Sequence, residues 1–316
     1  MNSRVRMTVE GGLLAAITVI LCLGSIYLPV FGVFIEFFCS VPIAILTVRQ
    51  GEKIGLAAVF VSLALLFIFV GPIIAVRVTM MFGMCGLIFG ACLRRELSAT
   101  KSFIPLVIMS FAAQIFSVAM LYVVLNIDYA AENSKLLTES LERSLRVYES
   151  LGVDTSTLGL SKEKIESTAQ MVIVLTPLIL FLVALLSATG TYITTRIFFR
   201  KLRMKFPAPM PPFSRWRFSI FFAYLAGFAA IGVYWGEEWA SALLCFVSTN
   251  AFFFAALVGA IQGLAVLSFV MNHYKISKMF RVLIFAIFIL NFVLLQFIAL
   301  IGFFDMFFDY RKKLWS

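Results

Sequence analysis

Long apolar stretches separated by short polar turns run through the whole chain. Nine of them lie near residues 8–28, 33–48, 54–70, 73–93, 103–125, 169–195, 216–235, 240–271 and 281–304. A helix of about 20 apolar residues crosses the hydrocarbon core of a membrane, where every backbone amide needs a partner inside the protein. The pattern therefore predicts an all-α fold, a polytopic integral membrane helical bundle with about nine transmembrane helices and the lipid bilayer as its surroundings.

The charged residues give this predicted bundle an orientation. Alternate turns are basic, with Arg4, Arg6, Arg49, Lys53, Arg94, Arg95, Lys101, the cluster from Arg196 to Arg217, Lys275, Lys278 and Arg281. The intervening turns are mostly acidic, with Asp128, Glu132, Glu139, Glu142, Glu149, Asp154, Glu163, Glu166, Glu237 and Glu238. Because basic turns face the cytoplasm, we predict a cytoplasmic N-terminus and a place in the cell membrane. Topology thus explains the net charge of +10, and no nucleic acid partner is expected.

The number of spans depends on the C-terminal tail. Nine spans would put the C-terminus outside, although Arg311, Lys312 and Lys313 favour the cytoplasm. Either the short second segment is re-entrant, which gives eight spans, or the tail after Asp305 lies at the membrane surface. In the second case its aromatic residues would anchor it there, namely Phe303, Phe304, Phe307, Phe308 and Tyr310. We expect nine spans.

Three segments organise the chain. Residues 1–205 contain six predicted spans, residues 206–215 form a proline-rich cytoplasmic linker, and residues 216–316 contain three more spans. Between spans five and six lies a polar external loop, residues 127–168, in which Leu137, Leu141 and Leu145 recur with the spacing of an amphipathic helix. Pro177 stands inside span six, where it should kink the helix and free a carbonyl group that a neighbour must satisfy.

Two ionisable residues stand out within the predicted spans. Arg77 lies inside the fourth helix after Gly71-Pro72, and Glu36 opens the second helix on the same external side. A charge in a span is costly, so it usually faces protein or water. In one interpretation, Arg77 and Glu36 line an outward-facing pocket that binds a charged or zwitterionic small molecule. In the other, Arg77 extends to the membrane surface, or pairs with Glu36 only to make its own burial tolerable.

Amides in apolar helices are weaker candidates. Gln114 and Asn126 share the first six-helix unit with Arg77, so we include them in the predicted substrate-binding set. The amides of Asn250, Gln262, Asn291 and Gln296 are expected to join helices to each other.

Catalytic and metal-binding patterns are missing from the sequence. The chain has no GxxxxGK[ST], HExxH or GxSxG motif, and its five cysteines and single histidine show no ligand spacing. We therefore expect no enzyme activity, no cofactor and no metal.

Small residues mark sites where helices approach closely. Gly11, Gly12, Ala15 and Ala16 form two overlapping small-xxx-small pairs in the first helix. Similar pairs are Gly86 with Gly90 and Gly259 with Gly263. These pairs predict close packing within the protein. For the first helix, the alternative is a docking face for a partner membrane helix.

The first two hundred residues resemble the substrate-binding S components of energy-coupling-factor vitamin transporters. The resemblance rests on GGLLAAITVIL from Gly11, a turn at Pro29, the short segment with Pro42, RQGEKIG from Arg49, the Gly71-Pro72 turn, and Gly83, Gly86 and Gly90. It implies that Gly11, Gly12, Ala15 and Ala16 dock on a transmembrane coupling subunit and that Glu36 and Arg77 hold a ligand. The whole chain resembles the YybS-type family of bacterial membrane proteins, a resemblance that implies no activity.

Two functions follow from these observations. The first is a membrane solute-binding or transport protein with an outward-facing pocket and an energy source on another subunit. The alternative is a non-catalytic membrane scaffold that recruits partner membrane proteins in envelope or division processes. A stabilising small molecule would favour the first function, and a co-purifying membrane protein would favour the second.

Overall fold

A computed structural model describes residues 3–28, 30–150, 162–207, 210–308 and 311 of the protein. Every regular element in these ranges is helical, as the sequence predicts. The helices are α1 (Ser3–Tyr27), α2 (Gly32–Cys39), α3 (Val41–Gln50), α4 (Glu52–Val70), α5 (Pro72–Val78), α6 (Cys85–Arg94), α7 (Ala99–Leu125), α8 (Tyr129–Ser150), α9 (Lys162–Val174), α10 (Thr176–Lys201), α11 (Phe221–Glu238), α12 (Ala242–His273), α13 (Lys278–Leu290) and α14 (Phe292–Phe308). A π-helical stretch, Thr79–Met84, joins α5 to α6, and a 3-10 turn covers Phe213–Arg215.

Seven helical segments in the described ranges are long and apolar enough to cross a membrane. They are Met7–Tyr27, Gly32–Gln50, Glu52–Val70, Pro72–Arg94, Ala99–Leu125, Thr176–Lys201 and Ala242–His273. They coincide with the first six predicted spans and the eighth. The protein is therefore a multi-pass membrane protein.

Two predicted spans differ from the structure. The apolar part of α11, Phe221–Gly236, is shorter than the other spans, because its 16 residues extend only about 24 Å at about 1.5 Å each. The predicted span 281–304 is broken, and α13 meets α14 at an angle of 102°. Asn291 forms this corner with an extended backbone, and its side-chain oxygen accepts a hydrogen bond from the Leu294 amide at 3.1 Å. By length and composition the described residues offer seven spans, or eight if the bent pair is one.

The chain folds into two compact units. The first, unit 1, comprises Met1–Asp154 and Ile179–Met210; the second, unit 2, comprises Thr155–Leu178 and Pro211–Ser316. The predicted linker 206–215 is divided between them, and its residues 208 and 209 lie outside the described part. The predicted external loop 127–168 is divided as well, and its residues 151–161 lie outside the described part.

In unit 1 the second span is discontinuous at its centre. Pro42 has no amide proton and stands in the first turn of α3, so the helix stops at Cys39 and restarts at Val41. The carbonyl group of Phe37 lies in the last turn of α2, just before this break. The hydroxyl of Thr194 on α10 donates a hydrogen bond to that carbonyl oxygen at 2.6 Å. The broken helix is therefore stabilised by a side chain from another span.

The basic turns of unit 1 meet at one end of the helices. Arg49 pairs there with Glu10. Arg95 pairs with Glu52 at 2.8 Å, and Lys205 pairs with Glu96 at 3.4 Å. The turns that the charge pattern assigned to one side of the membrane therefore lie together in space.

The described residues of the proline-rich linker pack against the helices of their own units. In unit 1, Phe206 enters an aromatic cluster, with its ring centre 5.5 Å from that of Tyr192 and 5.7 Å from that of Phe199. In unit 2, the indole N–H of Trp216 donates to the Pro211 carbonyl at 2.9 Å. Each described part of the linker is thus fixed within its own unit.

Unit 2 contains the proline break that the sequence predicts in span six. The helix is interrupted at Leu175, between α9 and α10, two residues before Pro177. The amide nitrogen of the Asn250 side chain donates to the Val174 carbonyl at 2.8 Å. The helix is thus interrupted near Pro177, where the sequence predicts a kink, and Asn250 joins helices as expected.

Small residues allow α12 and α14 to pack closely against each other. A Cβ atom added to Gly263 would overlap the carbonyl oxygen of Ile298, and one added to Gly302 would overlap that of Gly259. The predicted Gly259–Gly263 pair therefore packs inside unit 2.

A buried polar network lies beside this contact. Asp305 is fully buried, and Arg311 retains 8% of its exposure while its Nη2 atom lies 2.7 Å from Asp305 Oδ2. The fully buried Gln262 donates to the same carboxylate and accepts a hydrogen bond from the Phe218 amide at 3.0 Å.

The guanidinium of Arg311 also reaches the linker, because it donates to the carbonyl oxygens of Ser214 at 2.8 Å and Trp216 at 2.9 Å. The charge of Arg311 is therefore bound inside unit 2. It does not indicate on which side of the membrane the tail lies, although the sequence pattern suggested the cytoplasm. Lys312, Lys313 and Tyr310 lie outside the described residues.

Replacing Arg311 with Met should strongly destabilise unit 2. The substitution leaves the Asp305 carboxylate buried without its cation, and breaking a buried pair in this way costs about 3 to 5 kcal/mol. Thermal unfolding of the purified protein in detergent measures the effect as a lower melting temperature.

The double variant Asp305→Leu with Arg311→Met is the control, because it removes both charges together. We expect it to melt well above the single variant. Equal melting of the two variants would show that the ion pair does not stabilise the fold.

Candidate functional site

The structure brings two of the predicted substrate-binding residues into electrostatic reach of each other. Glu36 lies half-buried on α2, and Arg77 lies exposed on α5, one helical turn after its start at Pro72. The charge of Arg77 acts on the Glu36 carboxylate. No ion pair within 4.0 Å joins Arg77 to a carboxylate of the described residues, so the guanidinium is available to other groups.

The protein interior beside Glu36 is apolar. Cys22 and Cys39 are almost completely buried, and the Cys39 thiol donates to the Ile35 carbonyl oxygen at 3.5 Å. They belong to a cluster of packed side chains with Val19, Leu66, Ala75, Val78 and Phe82. The two charges therefore border a filled apolar cluster.

Gln114 and Asn126 do not complete a site with each other. They stand twelve residues apart on α7 and its end, which corresponds to about 18 Å along the helix axis. Asn126 is exposed and adopts a left-handed backbone (φ 55°), a conformation in which Asn often ends a helix. Its position is thus explained by the end of α7.

The small-residue face of α1 lies partly in the interior and partly on an open groove. Ala15 is fully buried in a cluster with Ile43, Leu46, Ala58 and Val59, and Ala16 is half-buried. Gly11 and Gly12 instead line a groove of about 470 Å³ between α1 and α4. The other lining residues are Met7, Thr8, Ile54, Ala57, Ala58 and Val61.

The groove is open where the glycines lack side chains. Among the residues that the structure describes, a Cβ atom added to Gly12 would meet no other atom within 4 Å, and one added to Gly11 would meet only Ile54, at 3.9 Å. Gly90 of α6 offers the contrast, because its Cβ atom would lie 2.8 Å from the Ala44 carbonyl oxygen of α3. The protein's own helices therefore fill the glycine face of α6 and leave Gly12 uncovered.

Sequence reasoning missed two polar features of the spans. The hydroxyls of Ser40, at the α2–α3 break, and Thr79, at the start of the π-helical stretch, are buried and lack a hydrogen-bond partner among the described residues. Pro42 signalled the first feature, whereas no sequence pattern marks the second. The buried Asp305 was also missed as a site, although Asp305 and Asp309 are the only two acids in the sequence after Glu238.

These observations define a multi-pass, all-helical membrane protein with an open groove between two spans. A family model described as "Predicted membrane protein (DUF2232)" matches residues 16–306, and the chain belongs to this family. The chain is also similar to "Uncharacterized protein YybS" of Bacillus subtilis (strain 168), with 22% identity over 318 residues that cover 98% of each chain. No solved structure matches. The resemblance to S components remains a prediction from sequence pattern.

Proposed function

We propose that the protein is a non-catalytic membrane protein that recruits a partner through the α1–α4 groove. The observation that carries this proposal is the uncovered surface at Gly12. The occupant we expect is a transmembrane helix of another protein. A coupling subunit of the kind that binds S components is one such partner.

The chemistry of the groove suits a helix in lipid. Apolar side chains gain little by leaving lipid for protein, so helices associate through close van der Waals packing at small residues. Gly11, Gly12, Ala57 and Ala58 provide such a surface, and the groove runs along two adjacent spans. A small-residue face of a partner helix would approach the backbone of α1 directly.

Replacing Gly12 with Leu should displace the partner without unfolding the protein. The new side chain enters the open groove, where nothing inside the protein opposes its first atom. Affinity-tagged protein is purified in mild detergent from the membranes in which it is naturally made, and co-purifying membrane proteins are quantified by mass spectrometry. We expect at least a tenfold loss of one such protein from the variant.

Gly227→Leu on α11 is the matched control, because a Cβ atom there also meets nothing within 4 Å and lies outside the groove. It should keep the partner. The proposal fails if both variants, or neither, lose it.

A second candidate function is the binding of a small zwitterionic solute at Glu36 and Arg77. The observation that favours it is the opposite charge of two neighbouring side chains that form no direct ion pair. A ligand carrying both an amino and a carboxylate group would complement them. In this case a separate energy-coupling subunit would drive uptake.

Substituting Ala for Arg77 tests the solute site. A ligand present at 100 times its dissociation constant should stabilise the wild-type protein by about 2.7 kcal/mol. Thermal unfolding in detergent with a panel of amino acids and water-soluble vitamins would show a shift that Arg77→Ala abolishes and Arg77→Lys partly retains. A panel without any shift in the wild type, or a shift unchanged in Arg77→Ala, contradicts this function.

We also propose that the basic end of unit 1 faces the cytoplasm of a cell whose cytoplasmic membrane contains the protein. This orientation places the N-terminus and Lys205 inside and α8 outside. The clustering of Arg49, Arg95 and Lys205 at one end of the helices supports it.

Single cysteines placed in a cysteine-free background at Lys205 and at Ser140 of α8 test the orientation. In intact cells a membrane-impermeant maleimide should label Ser140→Cys and leave Lys205→Cys unlabelled until the membrane is opened. The reverse labelling would require the opposite orientation.

A further inference from the structure

The end of unit 1 where the basic turns meet carries a large uncompensated positive charge. Its three described carboxylates, Glu10, Glu52 and Glu96, each have a basic partner. In the part of the chain that the structure describes, the remaining cations of this end form no ion pair within 4.0 Å: Lys53, Arg94, Lys101, Arg196, Arg200, Lys201 and Arg203. Some negatively charged partner from outside the chain would therefore be attracted to this end.

Three of these cations stand together at the end of α10. Arg200, Lys201 and Arg203, here called the α10 cation cluster, are all exposed. Exposed apolar side chains lie between and beside them, since Ile197 keeps 46% and Leu202 keeps 44% of its exposure. Cations and bare apolar groups at the same level of a helix match the boundary between lipid head groups and acyl chains.

The end of α10 is held in place by its own packing. Arg203 adopts a left-handed backbone (φ 53°), and the Met204 amide donates to the Phe199 carbonyl at 2.9 Å. The chain then turns so that Phe206 packs between the rings of Tyr192 and Phe199. The backbone that carries the α10 cation cluster is therefore ordered, and the three charges have a defined surface.

We propose that the α10 cation cluster binds the head groups of anionic phospholipids. The guanidinium groups of Arg200 and Arg203 and the ammonium of Lys201 would contact phosphate oxygens, while Ile197 and Leu202 contact the acyl chains. A soluble polyanion would satisfy the charges but would leave these two apolar side chains in water. This site is separate from the α1–α4 groove, so the partner proposal can fail without affecting it.

Native mass spectrometry of the full-length protein tests the lipid site. The protein is titrated in detergent with phosphatidylglycerol or with phosphatidylcholine of the same acyl chains. The triple variant Arg200→Gln, Lys201→Gln, Arg203→Gln should bind phosphatidylglycerol more weakly by roughly fivefold for each lost charge. Its binding of phosphatidylcholine should not change.

The matched control is the triple variant Lys135→Gln, Arg143→Gln, Arg146→Gln on α8. Both variants lower the net charge by three, from +10 to +7, and all six residues are exposed. The control should bind phosphatidylglycerol as the wild type does. Equal loss of phosphatidylglycerol binding in both variants would show that net charge alone causes the effect, which would overturn the proposal. Unchanged binding in the α10 variant would overturn it as well.

A second measurement separates lipid from a soluble polyanion. A single-stranded oligonucleotide is added to the wild-type protein that carries phosphatidylglycerol. Retention of the lipid supports the proposal, whereas its displacement at an equal concentration of phosphate groups would overturn it.

Discussion

Inside hydrocarbon a polar group must find its partner within the protein, and most of this structure follows from that constraint. Helices satisfy the backbone along each span. Where the chain breaks, side chains take over, with Thr194 bonded to the Phe37 carbonyl and Asn250 bonded to the Val174 carbonyl. The same requirement brings Asp305, Arg311 and Gln262 into one buried network. Polar residues in the spans are therefore structural first, and only those left without partners are candidates for function.

The sequence correctly predicts the spans whose apolar stretches are long enough to cross a membrane. Pro177 also predicts the break near it, because proline has no amide proton to donate to a helical hydrogen bond. The corner at Asn291 was not predictable in the same way, since an amide within an apolar run fits a straight helix equally well. The sequence did not predict the pair of Arg311 with Asp305, because this pair depends on how α12, α14 and the linker pack.

The candidate site also depends on packing that the sequence pattern does not reveal. Spacing identified the glycine pairs of α1, α6 and α12, but spacing cannot tell a filled face from an open one. In the structure, α3 covers Gly90 and α14 covers Gly263, while Gly12 faces open space. Charge identified Glu36 and Arg77, and the structure places them beside a filled apolar cluster. The α1–α4 groove is consequently better supported as a functional site than the pair of Glu36 and Arg77.

A native mass spectrum of the wild-type protein, released in mild detergent from the membranes in which it is naturally made, tests the central claim most directly. Occupation of the groove by a partner helix predicts the mass of the 35.3 kDa chain plus that of a second, different polypeptide. A chain of 35.3 kDa that carries only a small molecule, or whole multiples of that mass alone, would contradict it.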